Sequence, residues 1–353
     1  MTRYLSSFVW LLFFAVACNN QPEPPIQSPV ESKPHLEELG GTFCRHFKGI
    51  SDKDTFFIEL IGRDTLLKGY FYAQRDQEIL LVNGSRYKDS FHLEITPWHD
   101  FGLMDESMSV YMDLKWTNGQ LTGNKSGKNK PKRNCVLWPE NEGQVLAQPL
   151  VSEDSLLIDS GKYVIARNRF ESLRFLHPDS NWINQQLYRL MQDSSFNGDM
   201  EAFMKKSAYS MPEDTSELEF MRERPYDEIT EVEILYNRQN RLVLCVFNYL
   251  YSGGAHGNFD YQIINLDITK REVLGLPADR LAELPQFIEK GFRKKHGLSE
   301  TDSLNQILFE NHPQWVNNNY YLTEKGIGFI YNPYEIAPYV AGSLSVYVRL
   351  KKE

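Results

Sequence analysis

The sequence predicts an α+β protein with two parts: a small antiparallel β-barrel or sandwich, then an antiparallel sheet packed with helices. Residues 40–142 alternate short apolar or aromatic runs with turn signals and show no long helical period, which is typical of small β-domains. Residues 155–353 mix strand hairpins with amphipathic helices, which indicates α+β packing. The composition is globular, with 41% hydrophobic and 24% charged residues in 353.

The N-terminal twenty residues, "MTRYLSSFVWLLFFAVACNN", predict an export signal, with a charged start, a short apolar middle and small residues before the cleavage site. "AVAC" resembles the lipobox of bacterial lipoproteins, which implies removal of residues 1–17 and a lipid on Cys18. An ordinary secretory signal with an incidental cysteine is the alternative. Residues 18–39 are rich in Pro, Gln, Ser and Glu and predict an extended tether. Asn19 favours the outer membrane of the cell envelope and leaves the face open.

The predicted β-domain contains two Asn-Gly hairpin signals, "VNGS" and "TNGQ". It ends near a basic stretch, "NKSGKNKPKRN", which carries Lys125, Lys128, Lys130, Lys132 and Arg133. This stretch either contacts anionic headgroups or acidic polymers or is a solvated hairpin tip. The formal net charge of −9 makes the chain a poor nucleic-acid binder, so no nucleic-acid partner is expected.

Residues 141–155 are predicted to be a linker, and the elements of the second domain follow it. "GKYVIARNRFESLRFL" predicts a strand or strand pair, and "SNWINQQLYRLMQD" a helix capped by Ser180. Two hairpins turn at "NRQN" and "DITK". "LPQFIEKGFRKKHGL" predicts a helix that buries Phe287, Ile288, Gly291 and Phe292 and ends at Gly297. "DSLNQILFE" predicts a shorter helix, and "GSLSVYVRL" alternates as a final strand.

Three further cysteines follow Cys18. Cys44 and Cys135 flank one compact stretch in an expected oxidising compartment, so we expect a disulfide between them. Cys245 lies in the apolar run "VLCVF" and is predicted to be a buried, inert thiol. No pair has CxxC spacing, which argues against a zinc site.

His256 stands among glycines in "YLYSGGAHGNFDYQIINLD", directly after an apolar run. The imidazole is either presented to a ligand or serves the structure by bonding the later "YNPYE" segment, in which Tyr331 is the first residue. Catalysis is a third interpretation. The sequence contains no GxSxG elbow and no HExxH, and no catalytic residue is assigned.

Two stretches, "FNYLYSGGAHGNFDYQIINLDITKREVLGL" and "YYLTEKGIGFIYNPYEIAPYVAGSLSVYVRL", closely resemble one extracytoplasmic domain. It occurs in RsiV-type anti-sigma factors and beside the catalytic domain of PdaC-type peptidoglycan deacetylases, and is often described only as a domain of unknown function. The resemblance covers roughly residues 155–353, and Val340 stands where Ala is more typical. The β-domain lies outside it and more weakly resembles small modules of Bacteroidetes lipoproteins.

The resemblance implies a receptor surface, since the RsiV-type domain binds lysozyme. The deacetylase's metal-binding Asp-Asp and His-x3-His pattern is absent from the sequence, and no metal or cofactor is expected. The first hypothesis is a lipid-anchored module that binds a lysozyme-like protein or peptidoglycan. The alternative is a hydrolase of peptidoglycan or carbohydrate that uses His256 and Glu335. The candidate ligand-binding residues are Tyr251, His256, Tyr331, Asn332, Tyr334 and Glu335.

Overall fold

Eight antiparallel strands close into a barrel in the computed structural model, which describes residues 39, 41–98, 109–128, 130–158, 162–191, 199–206 and 221–350. The strands pair in chain order, and β8 closes on β1. Their bounds are β1 (Phe43–Ser51), β2 (Asp54–Arg63), β3 (Leu66–Ala73), β4 (Leu80–Tyr87), β5 (Ser90–Thr96), β6 (Val110–Thr117), β7 (Gln120–Gly127) and β8 (Arg133–Pro139). Alternate side chains fill the interior, which a barrel of eight strands leaves just wide enough for them.

One of the two Asn-Gly signals marks a turn. Asn118 and Gly119 join β6 to β7 with φ of 53° and 78°, as a type I′ hairpin requires, so the prediction for "TNGQ" is confirmed. The prediction of a turn at "VNGS" is wrong, because these residues lie inside β4. A Cβ on Gly84 would come within 2.2 Å of the His92 carbonyl oxygen, so glycine permits the close approach of β5.

A six-stranded sheet follows, with the order β14-β13-β12-β11-β10-β9. It is antiparallel except between β10 and β11, which run parallel and are joined by the stretch containing α1 and α2. Its elements are β9 (Ala147–Ile158), β10 (Tyr163–Phe175), α1 (Ser180–Leu190), α2 (Met200–Lys206), β11 (Tyr226–Arg238), β12 (Arg241–Tyr251), β13 (Asn258–Asp267) and β14 (Glu272–Val273).

The predicted linker at 141–155 is wrong over most of its length. Residues from Ala147 onward form β9, which pairs along its length with β10. The polar sequence conceals this strand because β9 is an edge strand, so much of its side-chain surface meets water. Ser180 is the first residue of α1 rather than its cap, and Asp179 precedes it without a side-chain capping bond.

A three-stranded sheet, β15 (Tyr320–Leu322), β16 (Gly326–Tyr331) and β17 (Leu344–Arg349), packs against α3 (Leu284–Lys295). Ile288 and Phe292 are buried as predicted, and Gly297 follows the helix with a φ of 65°. Phe287 was predicted to be buried but is 44% exposed. The helix predicted at 302–310 is wrong: only residues 304–306 form a 3-10 turn.

The outer wall of the barrel packs on the six-stranded sheet through aromatic residues such as Tyr72, whose ring lies 4.9 Å from that of Tyr236. Beside this contact Lys68 of the barrel reaches three carboxylates of the sheet, with Nζ–O distances of 3.0 Å to Glu171, 2.7 Å to Glu231 and 2.9 Å to Glu233. Residues 37–353 thus form one compact unit. The fold is α+β, as predicted, with the N-terminal part a barrel rather than a sandwich.

The predicted Cys44–Cys135 disulfide is contradicted by the register of the barrel. Cys135 lies opposite Ser51 on β1, and Cys44 is seven residues earlier on that strand, about 23 Å away in extended chain. Both thiols are free and buried. Cys245 is a buried free thiol, as predicted.

The predicted signal peptide at 1–17 and Cys18 lie outside the described residues. Among the helices that the structure describes, none is both long and apolar enough to cross a membrane.

Candidate functional site

The two sequence motifs, "GGAHG" and "YNPYE", meet near the N-terminal end of β13. The side chain of Asn332 accepts a hydrogen bond from the backbone N–H of Tyr261 at 2.8 Å, and its amide nitrogen donates to the Tyr261 carbonyl at 3.0 Å. One amide thereby satisfies both backbone groups of a strand residue 71 positions away in the chain. The structural interpretation assigned the link to a hydrogen bond from His256 to the "YNPYE" segment, whereas this link is made by the side chain of Asn332.

His256 lies on the surface between the motifs. Its Nδ1 is 3.0 Å from the Gly257 carbonyl oxygen, and its Nε2 is 3.5 Å from the Tyr334 hydroxyl. The imidazole stacks on the ring of Tyr339, with centroids 3.8 Å apart and planes 17° from parallel. Tyr339 in turn donates to the Gly257 carbonyl at 2.6 Å. These contacts hold the exposed imidazole in one orientation.

Glycine is required at position 257 for packing. A Cβ there would come within 2.3 Å of the Tyr249 ring, so only glycine lets the hairpin lie against that tyrosine. Gly253 has a φ of 88°, and its carbonyl accepts from Arg224 at 2.9 Å. The glycines of "GGAHG" therefore shape a packed hairpin tip, which presents His256 outward.

Rings from both motifs form a surface that we call the aromatic surface, defined by Tyr249, His256, Phe259, Tyr334 and Tyr339. Centroids of Tyr334 and Phe259 lie 5.6 Å and 6.0 Å from that of Tyr339. Tyr334 is 55% exposed, and the neighbouring Val340 is 75% exposed. Rings held this way offer apolar faces and hydroxyl groups to a partner at little further cost in side-chain entropy.

Tyr334 adopts a left-handed backbone conformation, with a φ of 68°. This conformation is an outlier for a bulky residue and costs about 1–3 kcal/mol. The turn that imposes it is held by hydrogen bonds from Glu335 N to Asn332 O at 3.0 Å and from Tyr334 N to Ala337 O at 3.1 Å. The fold thus holds an exposed tyrosine ring in place against a backbone preference.

Glu335 lies on the other side of this turn, at a surface cavity of about 380 Å³. Its carboxylate accepts from Asn317 Nδ2 at 2.7 Å and from the Asn332 backbone N–H at 2.9 Å. The cavity is also lined by Phe309, which is 51% exposed, and by Glu310. A carboxylate-lined cavity with one apolar wall fits a cationic or polar group.

The predicted site residues divide into three groups. His256 contacts Tyr334, and Asn332, Tyr334 and Glu335 share the turn at 332–335. Tyr331 was a ligand-binding candidate, but it is fully buried in the core, so it cannot contact a ligand without unfolding. Tyr251 ends β12 opposite Asp227, and within the described residues it makes no hydrogen bond or ring contact with the turn at 332–335.

Four members of the site were not predicted: Tyr249, Phe259 and Tyr339 of the aromatic surface, and Asn317. Tyr339 stands in the quoted "YNPYEIAPY" motif, so its place in that motif was the available signal. Asn317 has no sequence signal, because only the fold brings it to Glu335. In the part of the chain that the structure describes, no three His, Cys, Asp or Glu side chains are grouped as metal ligands.

Two family models match this chain, and each match contains one of the two motifs. Residues 178–259, which include "GGAHG", match the family model described as deacetylase PdaC. Residues 267–351, which include "YNPYE", match the family described as a protein of unknown function, DUF3298. A comparison with curated proteins finds no match.

Two solved structures are similar. A member of the DUF3298 family from Bacteroides fragilis has 17% identity and a TM-score of 0.49, covering 60% of this chain and 92% of that chain. A DUF3298 family protein from Pseudomonas aeruginosa has 17% identity and a TM-score of 0.44, covering 58% and 90%. Between them, the matched segments contain both motifs of the site, and the C-terminal half of this chain carries a PdaC/DUF3298-type domain.

Proposed function

We propose that this chain is an extracytoplasmic binding module, anchored to the membrane by a lipid on Cys18, that binds a cell-envelope protein or glycan. The model ligands are a lysozyme-like muramidase and peptidoglycan. The observation that carries the proposal is the aromatic surface, where Tyr339 stacks on His256 at 3.8 Å and Tyr334 is 55% exposed in a strained conformation. A surface made rigid in this way favours binding, because little freedom remains to be lost.

The chemistry of the aromatic surface suits either ligand class. Exposed tyrosine rings stack on apolar faces, and their hydroxyl groups donate and accept, which is why tyrosine is enriched in binding hot spots. Val340, 75% exposed beside Tyr339, adds an apolar contact that the folded chain leaves uncovered. Ring stacking, hydroxyl hydrogen bonds and the apolar contact of Val340 would then form in one interface.

Of the two model ligands, the charge of this chain favours the basic protein. The net charge of −9 would speed encounter with a cationic partner. Next to the aromatic surface, the cavity at Glu335 contains a second carboxylate, that of Glu310. A lysine or arginine side chain of the partner fits this cavity.

The alternative, a hydrolase, would need His256 and Glu335 to act on one substrate. In the structure the imidazole meets Gly257 and Tyr334, whereas the carboxylate accepts from Asn317 and Asn332. No hydrogen bond joins His256 to Glu335 within the described residues. The contacts therefore favour binding over catalysis by this pair.

Calorimetry with lysozyme and with peptidoglycan fragments at two salt concentrations tests the proposal. We expect binding that Tyr334→Ala and His256→Ala each weaken about ten-fold or more, as hot-spot residues do. Tyr87→Ala is the matched control, because Tyr87 is 69% exposed on the barrel. Absence of binding to both ligands, or equal losses in the control, would contradict the proposal.

An assay of peptidoglycan hydrolysis distinguishes the hydrolase alternative from a binding module. Incubation with peptidoglycan should release no fragments if the chain is a binding module. Release that is abolished by His256→Ala, in a variant with an unchanged unfolding midpoint, would establish the hydrolase instead.

The anchor is tested apart from the ligand. In a bacterial host, Cys18→Ser should prevent incorporation of labelled palmitate and move the protein from the outer-membrane fraction to a soluble one. Labelling of Cys18→Ser equal to that of wild type would contradict lipidation at Cys18.

A further inference from the structure

The open end of the barrel has a cavity of about 580 Å³. Its lining includes three cations, Lys53, Arg75 and Lys125, two carboxylates, Asp54 and Asp76, and the apolar Phe56 and Ala73. The size falls in the range of small-molecule sites, roughly 300–1,000 Å³. It lies where β2 and β8 begin and β3 and β7 end, so it is the mouth of the barrel. The buried cluster that fills the barrel includes Phe56 and Phe71, so a ligand would be held at the mouth rather than deep inside.

Lys125 is the unusual residue of this cavity. It follows Leu121 and Gly123 at alternate positions of β7, and Leu121 belongs to the interior cluster, so Lys125 also points inward. Its Nζ lies 5.0 Å from the ring centroid of Phe56 and 5.1 Å from that of Phe71. Among the described residues no carboxylate forms an ion pair with it. A half-buried ammonium held by two rings lacks the anion that would best compensate its lost hydration.

A second cation faces Lys125 directly. Arg133 on β8 is its cross-strand partner, and like charges in that position destabilise a sheet. Arg133 pairs with Asp52 at 3.2 Å, on the surface. Burial lowers the pKa of Lys125. Of the nearby charges Asp54 acts most strongly and raises that pKa, whereas Arg133 and Lys130 lower it by less. The cavity lining carries three cations against the two carboxylates of Asp54 and Asp76, so it is slightly positive in a protein whose overall charge is negative.

We propose that the mouth of the barrel binds the carboxylate or phosphate group of a compact organic anion, with Lys125 as the anchoring cation and Phe56 and Ala73 as the apolar wall. This site is separate from the aromatic surface and does not depend on its function. The basic stretch "NKSGKNKPKRN" then has two roles: Lys125 and Arg133 belong to strands at the mouth, whereas Lys132 lies on the exposed loop.

Calorimetric titration of the purified protein with phenyl phosphate and benzoate tests this site, with benzyl alcohol as the neutral analogue. Wild type should bind both anions and not the alcohol, and the anions should raise its unfolding midpoint. Lys125→Met keeps an apolar stem beside the rings and should weaken binding at least ten-fold, with Lys125→Gln as a second variant. Lys132→Met is the matched control from the same basic stretch and should bind like wild type.

Three outcomes would overturn the proposal: no binding of either anion, equal binding by Lys125→Met, or equal losses in Lys132→Met and Lys125→Met. The source of the anion is distinguished by two further arms. Inorganic phosphate that binds as tightly as phenyl phosphate would identify a free ion as ligand. Lys125-dependent flotation with phosphatidylglycerol vesicles, absent with phosphatidylcholine and competed by phenyl phosphate, would identify a lipid headgroup.

Discussion

Asn332 hydrogen-bonds both backbone groups of Tyr261, at 2.8 Å and 3.0 Å, and so fastens the turn at 332–335 to β13. The turn carries Tyr334, and β13 begins just after His256. This side-chain amide therefore helps to hold the aromatic surface together, alongside the hydrogen bond from the Tyr339 hydroxyl to the Gly257 carbonyl.

We expect Asn332→Asp to lower the free energy of unfolding by about 1–3 kcal/mol, because the Tyr261 carbonyl loses its donor. Urea unfolding measures the change, and ligand binding should weaken with it. Asn258→Asp, at an exposed position of the same strand, is the control and should stay within about 0.5 kcal/mol of wild type. An equal loss in both variants would mean that the amide has no special role.

Tyr334→Gly should separate stability from binding. Glycine adopts the φ of 68° without strain, so the unfolding free energy should fall little or rise, by less than about 1 kcal/mol. Ligand binding should fall at least ten-fold, because the exposed ring is gone. A variant that binds as well as wild type would exclude Tyr334 from the interface.

His46 should make stability depend on pH in the alkaline range. It is buried on the barrel wall, with Nδ1 2.5 Å from Glu59 and Nε2 3.5 Å from Glu140. Burial lowers the pKa of His46, but the two carboxylates outweigh burial and raise it to about 9 from 6.5. Because the folded pKa is the higher one, the stabilisation is full below pH 6.5 and is lost as pH rises through 9.

Urea unfolding of wild type should therefore lose on the order of 2–3 kcal/mol between these pH values, at about 1.4 kcal/mol per pKa unit. His46→Gln should flatten that dependence. His92→Gln is the control, since His92 pairs with Asp113 on the surface and should leave the dependence in place. Parallel pH curves for wild type and His46→Gln would show that another group is responsible.

Lys68→Met should be strongly destabilising, by about 3 kcal/mol, since Glu231 and Glu233 lose the cation they share, while Glu171 keeps Arg63 and Arg169. Lys132→Met removes an exposed pair with Asp113 at 3.9 Å and should cost at most about 0.5 kcal/mol. Equal unfolding midpoints for the two variants would contradict a structural role for the ion cluster between barrel and sheet.

The thiols of the folded protein should be unreactive and unpaired. Burial raises the pKa of Cys44 to about 12 and that of Cys135 to about 11, so little thiolate is present at neutral pH. A thiol reagent should label them only after denaturation, and a reductant should leave the unfolding midpoint unchanged. A lower midpoint in reductant would contradict the assignment of these cysteines as free thiols.

Much of the strand pattern could be predicted, because alternation and turn residues are local signals. Alternation predicts β17, and "NRQN" and "TNGQ" predict turns whose residues adopt positive φ. "VNGS" misled because Gly84 serves a close approach between strands, which is a property of the packed barrel. The edge strand β9 and the separation of Cys44 from Cys135 likewise depend on which strands become neighbours.

The sequence by itself determined the fold class and four candidate residues in or next to the turn at 332–335, since periodicity, turn chemistry and motifs are written along the chain. Only the tertiary structure decided that Tyr331 is core, that Tyr339 stacks on His256 and that Lys125 points into the barrel. The physical reason is distance along the chain: His256 and Tyr339 are 83 positions apart, so no local preference reports their contact. Burial and charge at such places are set by packing between elements, which exists only once the chain has folded.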